Sequence, residues 1–472
     1  MSLARQISKN FLIQGLGKVG SVLLGLAMLA ILTRHLGPEG YGEYTTATTF
    51  LQFFGVIADF GLTLTMVVMI SEAGADEKLL VGNILGLRLA SATILFGLAP
   101  LFVMPFPWND TVKMAVAAGA GGYLFMAGAA LLNGVYQKHA AMTRAAASEV
   151  ASRVVLLLTI ILFVYLNLGV VAMSGAIVFA NGVWLWLSIR LARPYVQIKL
   201  QGSWPVWKNV LSRSWPIAIS IFFNLIYLKG DLLFLAYYRP QTEVGFYGAS
   251  YRFLDVLTTI PTMFMGLLLP ALTAAWSGGD KNRFALMIEK TSHVFLAAAF
   301  PIIAGAYVIG PQLIRLVAGD AFLPATSALR LLMLASIGIF LGALFGHAVV
   351  AINKQKSMIA GYVAVAILSV VGYYLFIPSY GMTGAAGVTI FSEVLIAILT
   401  YRMVAKTTHI PIRLRWLLRP LFASVLMYVI LTLLPAWPAI PMVFIGAAVY
   451  IPTLLLVGGI SKSDIAILRG RV

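Results

Sequence analysis

The chain has 472 residues, of which 61% are hydrophobic and only 10% charged, with a mean hydropathy of +0.94 and a formal net charge of +17. That balance excludes a water-soluble globular domain, because so much apolar surface is solvated only where lipid replaces water. With no cysteine there are no disulfides or thiolate metal sites, the five histidines show no paired metal spacing, and the basic excess suits anionic lipid headgroups rather than nucleic acid.

A spanning helix needs about 20 apolar residues. Fourteen such runs are predicted, at 10–33, 42–70, 79–103, 112–137, 145–166, 169–190, 210–238, 244–275, 290–310, 325–350, 356–377, 382–404, 416–434 and 439–460. The first is too long for a signal-peptide core and has no A-x-A cleavage site, so it is expected to stay as a membrane helix. Of the 33 Lys and Arg, six (Lys18, Arg88, Arg153, Lys229, Arg252, Arg330) lie within or at the ends of spans. Four (Arg34, Lys113, Arg239, Arg315) fall on one side, and the remaining 23 on the other. The positive-inside rule then places both termini in the cytoplasm of a multi-pass protein of the cytoplasmic (inner) membrane.

The connection from Arg190 to Arg213, with Trp204-Pro205, Trp207 and Trp215-Pro216, is basic and aromatic and divides the first twelve runs into two sixes. Two echoes cross that divide. Gly42-x-Tyr44 recurs as Gly245-x-Tyr247 at an offset of 203, and Gly169, Gly175 and Phe179 recur as Gly381, Gly387 and Phe391 at an offset of 212. A duplicated six-helix unit is the reading, with a substrate path in the cleft between halves of like orientation. The expected fold class is therefore an all-α polytopic membrane protein of about 14 transmembrane helices, two six-helix lobes plus two extra C-terminal helices. Its expected domains are an N-lobe at 1–190, a linker at 191–213, a C-lobe at 214–404, and a last pair of spans with a tail at 405–472. The last pair, uncharged between Pro420 and Ser461, is expected to face lipid.

No G-x-x-x-x-G-K-[ST] motif and no long soluble segment is available for a nucleotide site, and the outer loops are short, so neither an enzyme nor a cofactor is expected. What remains are ionisable residues inside spans, which are costly in lipid and mark a polar interior or a pathway. They are Lys18, Asp59, Arg88, Glu149, Arg153, Lys229, Asp231, Arg252, Asp255 and Glu393. Lys18, Asp59 and Arg88 sit on three successive spans at similar depth, roughly 12–16 Å from one boundary at about 1.5 Å per residue. Arg252 and Asp255, three apart, are placed to pair, whereas Lys229 and Asp231, two apart, cannot face each other on a helix. Glu393 stands alone near the middle of the twelfth run, as a protonated acid or a proton-coupling group.

Leu32-Thr33-Arg34-His35-Leu36-Gly37-Pro38-Glu39-Gly40-Tyr41-Gly42-Glu43-Tyr44, followed by Asp59-Phe60-Gly61-Leu62, resembles the opening of O-antigen-type polysaccharide flippases of the multidrug/oligosaccharidyl-lipid/polysaccharide exporter superfamily. The resemblance continues through Asp231, Val244-Gly245-Phe246-Tyr247, Ala351-Ile352-Asn353-Lys354 and Tyr380-Gly381-Met382-Thr383-Gly384-Ala385-Ala386-Gly387. It implies alternating access, with a polyprenyl-pyrophosphate-linked oligosaccharide moved from the inner to the outer leaflet for O-antigen, capsule or exopolysaccharide synthesis. In that reading Lys18, Arg88, Lys229 and Arg252 are phosphate contacts, and Asp59, Asp231, Asp255 and Glu393 form an ion-coupling or lumen network. Candidate protein partners are a polysaccharide polymerase and a chain-length regulator. The competing readings are a cation-coupled drug exporter of the same superfamily and a membrane-embedded polysaccharide polymerase.

Overall fold

The computed structural model describes residues 3–409 and 418–459, with side chains from Gly20 onward except Ser220. Described residues form thirteen α-helices: α1 (Leu3–Asp59), α2 (Leu62–Ser71), α3 (Glu77–Phe102), α4 (Asp110–Lys138), α5 (Met142–Tyr165), α6 (Val170–Ala192), α7 (Trp204–Tyr238), α8 (Gln241–Ser277), α9 (Lys281–Ala318), α10 (Ala325–Ala351), α11 (Gln355–Thr408), α12 (Leu418–Leu433) and α13 (Ala439–Leu456). A single 3₁₀ turn, Asp320–Phe322, precedes α10.

A straight helix of 57 residues would run about 86 Å, nearly three times the hydrocarbon core. α1 avoids this by breaking at Gly37 (φ 67°, ψ −179°), immediately before Pro38. That backbone region is essentially open only to glycine, and Pro38 has no amide hydrogen to lose. α11 breaks in the same manner at Gly381 (φ 54°, ψ −133°), three residues after Pro378. Among the described residues, eleven helical stretches are long and apolar enough to cross a membrane, two of which (Gly20–Ser71 and Gln355–Thr408) hold two spans each. With the shorter apolar Leu418–Leu433, fourteen spans result, as the apolar runs predict.

The chain divides into two compact units, Met1–Gly245 and Phe246–Val472. In the first, α4 and α6 approach closely because small residues line the contact. A methyl on Gly122 would lie 2.8 Å from the Ile177 carbonyl carbon of α6, and on the neighbouring flank one on Gly119 would lie 3.0 Å from Leu51 Cδ1 of α1. Hydrogen bonds join the same helices and α5: Asn181 Nδ2 donates to Gly122 O (3.0 Å) and Ser152 Oγ to Ala180 O (2.9 Å). Between helices in lipid, where apolar burial gives little drive, such close approach and hydrogen bonding supply the attraction.

The repeated glycines meet in this unit. A methyl on Gly42 would sit 1.8 Å from Gln241 O, and one on Gly245 would sit 1.9 Å from Pro38 O. The offset of 203 that relates Gly42 to Gly245 also relates Pro38 to Gln241. Each segment thus presents the same groups to the other, as a local two-fold axis through the crossing requires. Thr46 Oγ1 adds a 2.7 Å hydrogen bond to Gln241 Oε1.

In the second unit, Gly338 of α10 lies against the Glu393 backbone of α11, where a methyl would come within 2.7 Å. α12 and α13 rest on α9 through Ala297, Ile309, Ala423, Met427 and Tyr450, with Tyr450 OH donating to Ala297 O at 2.6 Å. Their other faces, with Phe422 and Phe444, are exposed, so the expected lipid-facing pair is lipid-facing on one side only. The helix of the seventh run starts earlier than predicted, at Trp204, with Pro205 in its first turn where a missing amide hydrogen costs nothing.

Alanine at Gly42 or Gly245 has to displace backbone, and alanine at Gly37 has to hold a positive φ at a cost of about 1–3 kcal/mol. Each is expected to lower the thermal midpoint in detergent, whereas Gly25→Ala, with open space around it, leaves it unchanged. Equal midpoints for all these variants would refute the packing described.

Candidate functional site

The second span is interrupted between α1 and α2, where Phe60 (φ 44°) and Gly61 (φ 71°) both take left-handed conformations. Glycine adopts this readily; phenylalanine does so only under restraint, and such residues gather at functional sites. Gly61 is also sterically required, since a methyl there would lie 3.0 Å from Ser214 O and 3.1 Å from Ile217 of α7. The break turns the Ala58 carbonyl to α3, where it accepts the Ser91 hydroxyl at 3.2 Å.

Beside this break stand the residues of opposite charge that depth alone had grouped. Arg88 Nη1 of α3 lies 3.4 Å from Asp59 Oδ1, with the side chains 6% and 17% exposed. Arg88 Nε donates to Ala127 O of α4 at 3.4 Å, and Nη1 makes no hydrogen bond among the described residues. Asp59 Oδ1 instead accepts the hydroxyl of Thr63, the second residue of α2, at 2.6 Å. Taking a guanidinium out of water costs several kcal/mol, and Asp59 is what offsets it here.

Arg88 is placed by α3, and α3 is anchored from both its flanks near its start. Glu77 binds Lys138 Nζ (2.7 Å) and His139 Nε2 (2.8 Å), and His139 stacks on Tyr195, which Arg144 covers at 4.8 Å. On the other flank the extended segment before α7 lies directly on α3, with Lys199 O 2.2 Å and Gln201 O 2.3 Å from where methyls on Gly82 and Gly86 would stand. Buried Asn83 secures it: its Oδ1 accepts from Ser203 N (2.7 Å), its Nδ2 donates to Gln201 Oε1 (3.0 Å), and its carbonyl accepts from Trp207 Nε1 (2.9 Å). Farther along α7, Arg213 pairs with Glu72 at 2.5 Å just past the end of α2.

The other predicted residues are placed as follows. Lys18 lies on α1, with its side chain outside the described residues. Lys229 is partly buried on α7, and Asp231, two residues on, is fully buried with its Oδ1 accepting from Leu232 N at 2.8 Å. In the second unit, Arg252 and Asp255 of α8 form the expected local pair at 3.7 Å, both well exposed. Glu393 is buried on α11. Among the named residues the structure brings Asp59 to Arg88 and Arg252 to Asp255, while Lys229, Asp231 and Glu393 have interactions of their own. Among the described residues no three His, Asp or Glu side chains gather where a metal ion would be held. Thr63, Ser91 and Asn83 were not singled out by sequence, since an uncharged polar residue in an apolar run carries no signal of its own.

Helices long and apolar enough to cross a membrane many times, breaks at glycines and an ion pair buried within those spans define a polytopic membrane protein. Among solved structures with this fold is "Lipid II flippase MurJ, inward closed conformation", at 13% identity and a TM-score of 0.79, covering 94% of this chain and 98% of the other. An inward-facing multidrug resistance MATE family transporter of the MOP superfamily aligns at 17% identity and TM-score 0.67, over 82% and 94% of the two chains. The MATE multidrug transporter DinF-BH gives 17% and 0.65, over 86% and 96%. No curated protein matches the sequence. Residues 7–276, more than half the chain, match the family described as polysaccharide biosynthesis protein, and this protein belongs to that family.

Leucine at position 59 strands a buried cation, a loss of about 3–5 kcal/mol, whereas removing both charges together costs less. Thermal unfolding should therefore rank the Asp59→Leu/Arg88→Leu double variant above the Asp59→Leu single variant. The opposite order would mean that the two charges do not depend on each other.

Proposed function

We propose that this protein carries a polyprenyl-pyrophosphate-linked oligosaccharide from the inner to the outer leaflet of the cytoplasmic membrane by alternating access, in the synthesis of O-antigen, capsule or exopolysaccharide. Membership of the polysaccharide biosynthesis family and a fold shared with a lipid II flippase support this reading. The observation that carries it is Arg88, a guanidinium 5% exposed at membrane depth beside a helix break. Lipid-embedded cations are retained where they serve a pathway, and a planar guanidinium suits the paired oxygens of a phosphate.

In this proposal Lys18, Lys229 and Arg252 complete the phosphate-binding set, and Asp59, Asp231, Asp255 and Glu393 form the lumen network or couple transport to an ion gradient. Both termini are cytoplasmic, the basic loops lie on that side, and the six-helix duplication with its divide at 191–213 is how the fold arose. A polysaccharide polymerase and a chain-length regulator are its candidate partners. A second reading, a cation-coupled drug exporter, has specific support in the likeness to multidrug transporters and in the burial of Asp231 and Glu393. Charge at position 88 separates the two, because an organic cation gains nothing from a guanidinium.

The test is leaflet transfer of a polyprenyl-pyrophosphate-linked glycan in proteoliposomes holding only this protein. The parent is expected to transfer it, and Lys18→Ala/Arg88→Ala to fall at least about tenfold, the equivalent of one charge-assisted contact at about 1.4 kcal/mol. Absence of transfer by folded parent, together with uptake of a cationic dye that survives Arg88→Ala, would favour the exporter.

A further inference from the structure

Asp59 and Arg88 are joined by charge without being joined by good hydrogen bonds. Carboxylate–guanidinium contacts settle at about 2.7–2.9 Å and are frequently bidentate; this one is 3.4 Å through a single nitrogen. The same oxygen, Oδ1, accepts the Thr63 hydroxyl at 2.6 Å. Arg88 has five N–H donors, yet its nearest acceptors are the long Ala127 carbonyl contact and this carboxylate, and Nη1 is buried without a hydrogen bond among the described residues. Such a pair satisfies the charge of Arg88 and leaves most of its donor fork unused.

We propose that Asp59 is a displaceable counter-ion. In the resting protein it balances Arg88, while the Thr63 hydroxyl holds it back so that the fork stays open. An incoming diphosphate offers two oxygens in the geometry a carboxylate held by Thr63 does not reach, takes the fork, and drives Asp59 off by like-charge repulsion. The left-handed pair Phe60–Gly61 directly after Asp59 ends the regular helix there, so Asp59 is the last residue of α1 and is not held within a continuous helix. When the diphosphate leaves, Asp59 returns and Arg88 is never stranded. This inference rests on Arg88 being the phosphate contact. It makes Asp59 and Thr63 the residues that set affinity and release.

The consequence is a pair of changes of opposite sign at neighbouring positions. Asp59→Asn removes the competitor and keeps a side chain for Thr63 to bind, so diphosphate binding tightens, by about tenfold, and transfer slows because release does. Thr63→Val frees Asp59 to close on Arg88, so binding weakens several-fold, and Thr63→Ser, which keeps the hydroxyl, restores the parent value. The experiment is equilibrium dialysis of purified, folded protein with radiolabelled inorganic pyrophosphate in one arm and farnesyl diphosphate in the other. A shift in both arms assigns the effect to the diphosphate group; a shift in the farnesyl arm alone ties it to the lipid-linked form.

Tightening in Asp59→Asn with weakening in Thr63→Val, rescued by serine, supports the counter-ion. If the parent binds and Arg88→Ala does not, but the two variants match the parent or move in the same direction, Asp59 is a fixed structural partner and the inference fails while Arg88 keeps its role. If neither the parent nor Arg88→Ala binds either probe, the phosphate reading of Arg88 fails, and the inference with it.

Discussion

In hydrocarbon each peptide group has to find its hydrogen-bond partner inside the protein, and this constraint shapes the whole molecule. It forces the spans to be helices and makes every interruption conspicuous. The chain interrupts its long helices at Gly37, at Phe60–Gly61 and at Gly381. At Gly37 and Gly381, turns between successive spans, glycine's freedom at positive φ is sufficient explanation, and a nearby proline removes one amide hydrogen from the tally. Phe60–Gly61 is different. It falls within a span, uses a residue other than glycine, and brings a freed carbonyl, a carboxylate and a guanidinium to one place.

The same constraint governs the charges. Arg88 persists at 5% exposure because Asp59 balances it, while the position of α3 is secured on one flank by Glu77 and on the other by the strap from Lys199 to Ser203. Those anchors are built from backbone: Gly82 and Gly86 admit carbonyl oxygens where any side chain would exclude them. The Asp59–Arg88 pair is thus loose and its surroundings are tight, the arrangement that the proposed exchange of a diphosphate for Asp59 requires.

Much of the fold was legible because hydropathy reads lipid exposure directly: each of the fourteen spans follows its apolar run, and Gly37-Pro38 marks the first turn. That Asp59 and Arg88 meet was decided by packing, but their similar depth was legible too, from rise per residue. Thr63 and Ser91 were not, because a hydroxyl in an apolar run has no distinguishing spacing and its partner is decided by packing. Nor was the strap, whose Gln201 meets Asn83 across 118 residues, a separation at which no periodic pattern operates. The segment from Trp204 read as linker because tryptophan, proline and lysine suggested an interface; the helix begins there because proline is suited to a first turn.

The most direct measurement is a structure of the protein in a lipid nanodisc with a prenyl diphosphate bound. Diphosphate density within hydrogen-bond reach of the Arg88 guanidinium, with the Asp59 carboxylate turned away from it, is the expected result. Density elsewhere, with Asp59 still seated on Arg88, would contradict the assignment of this helix break as the binding site.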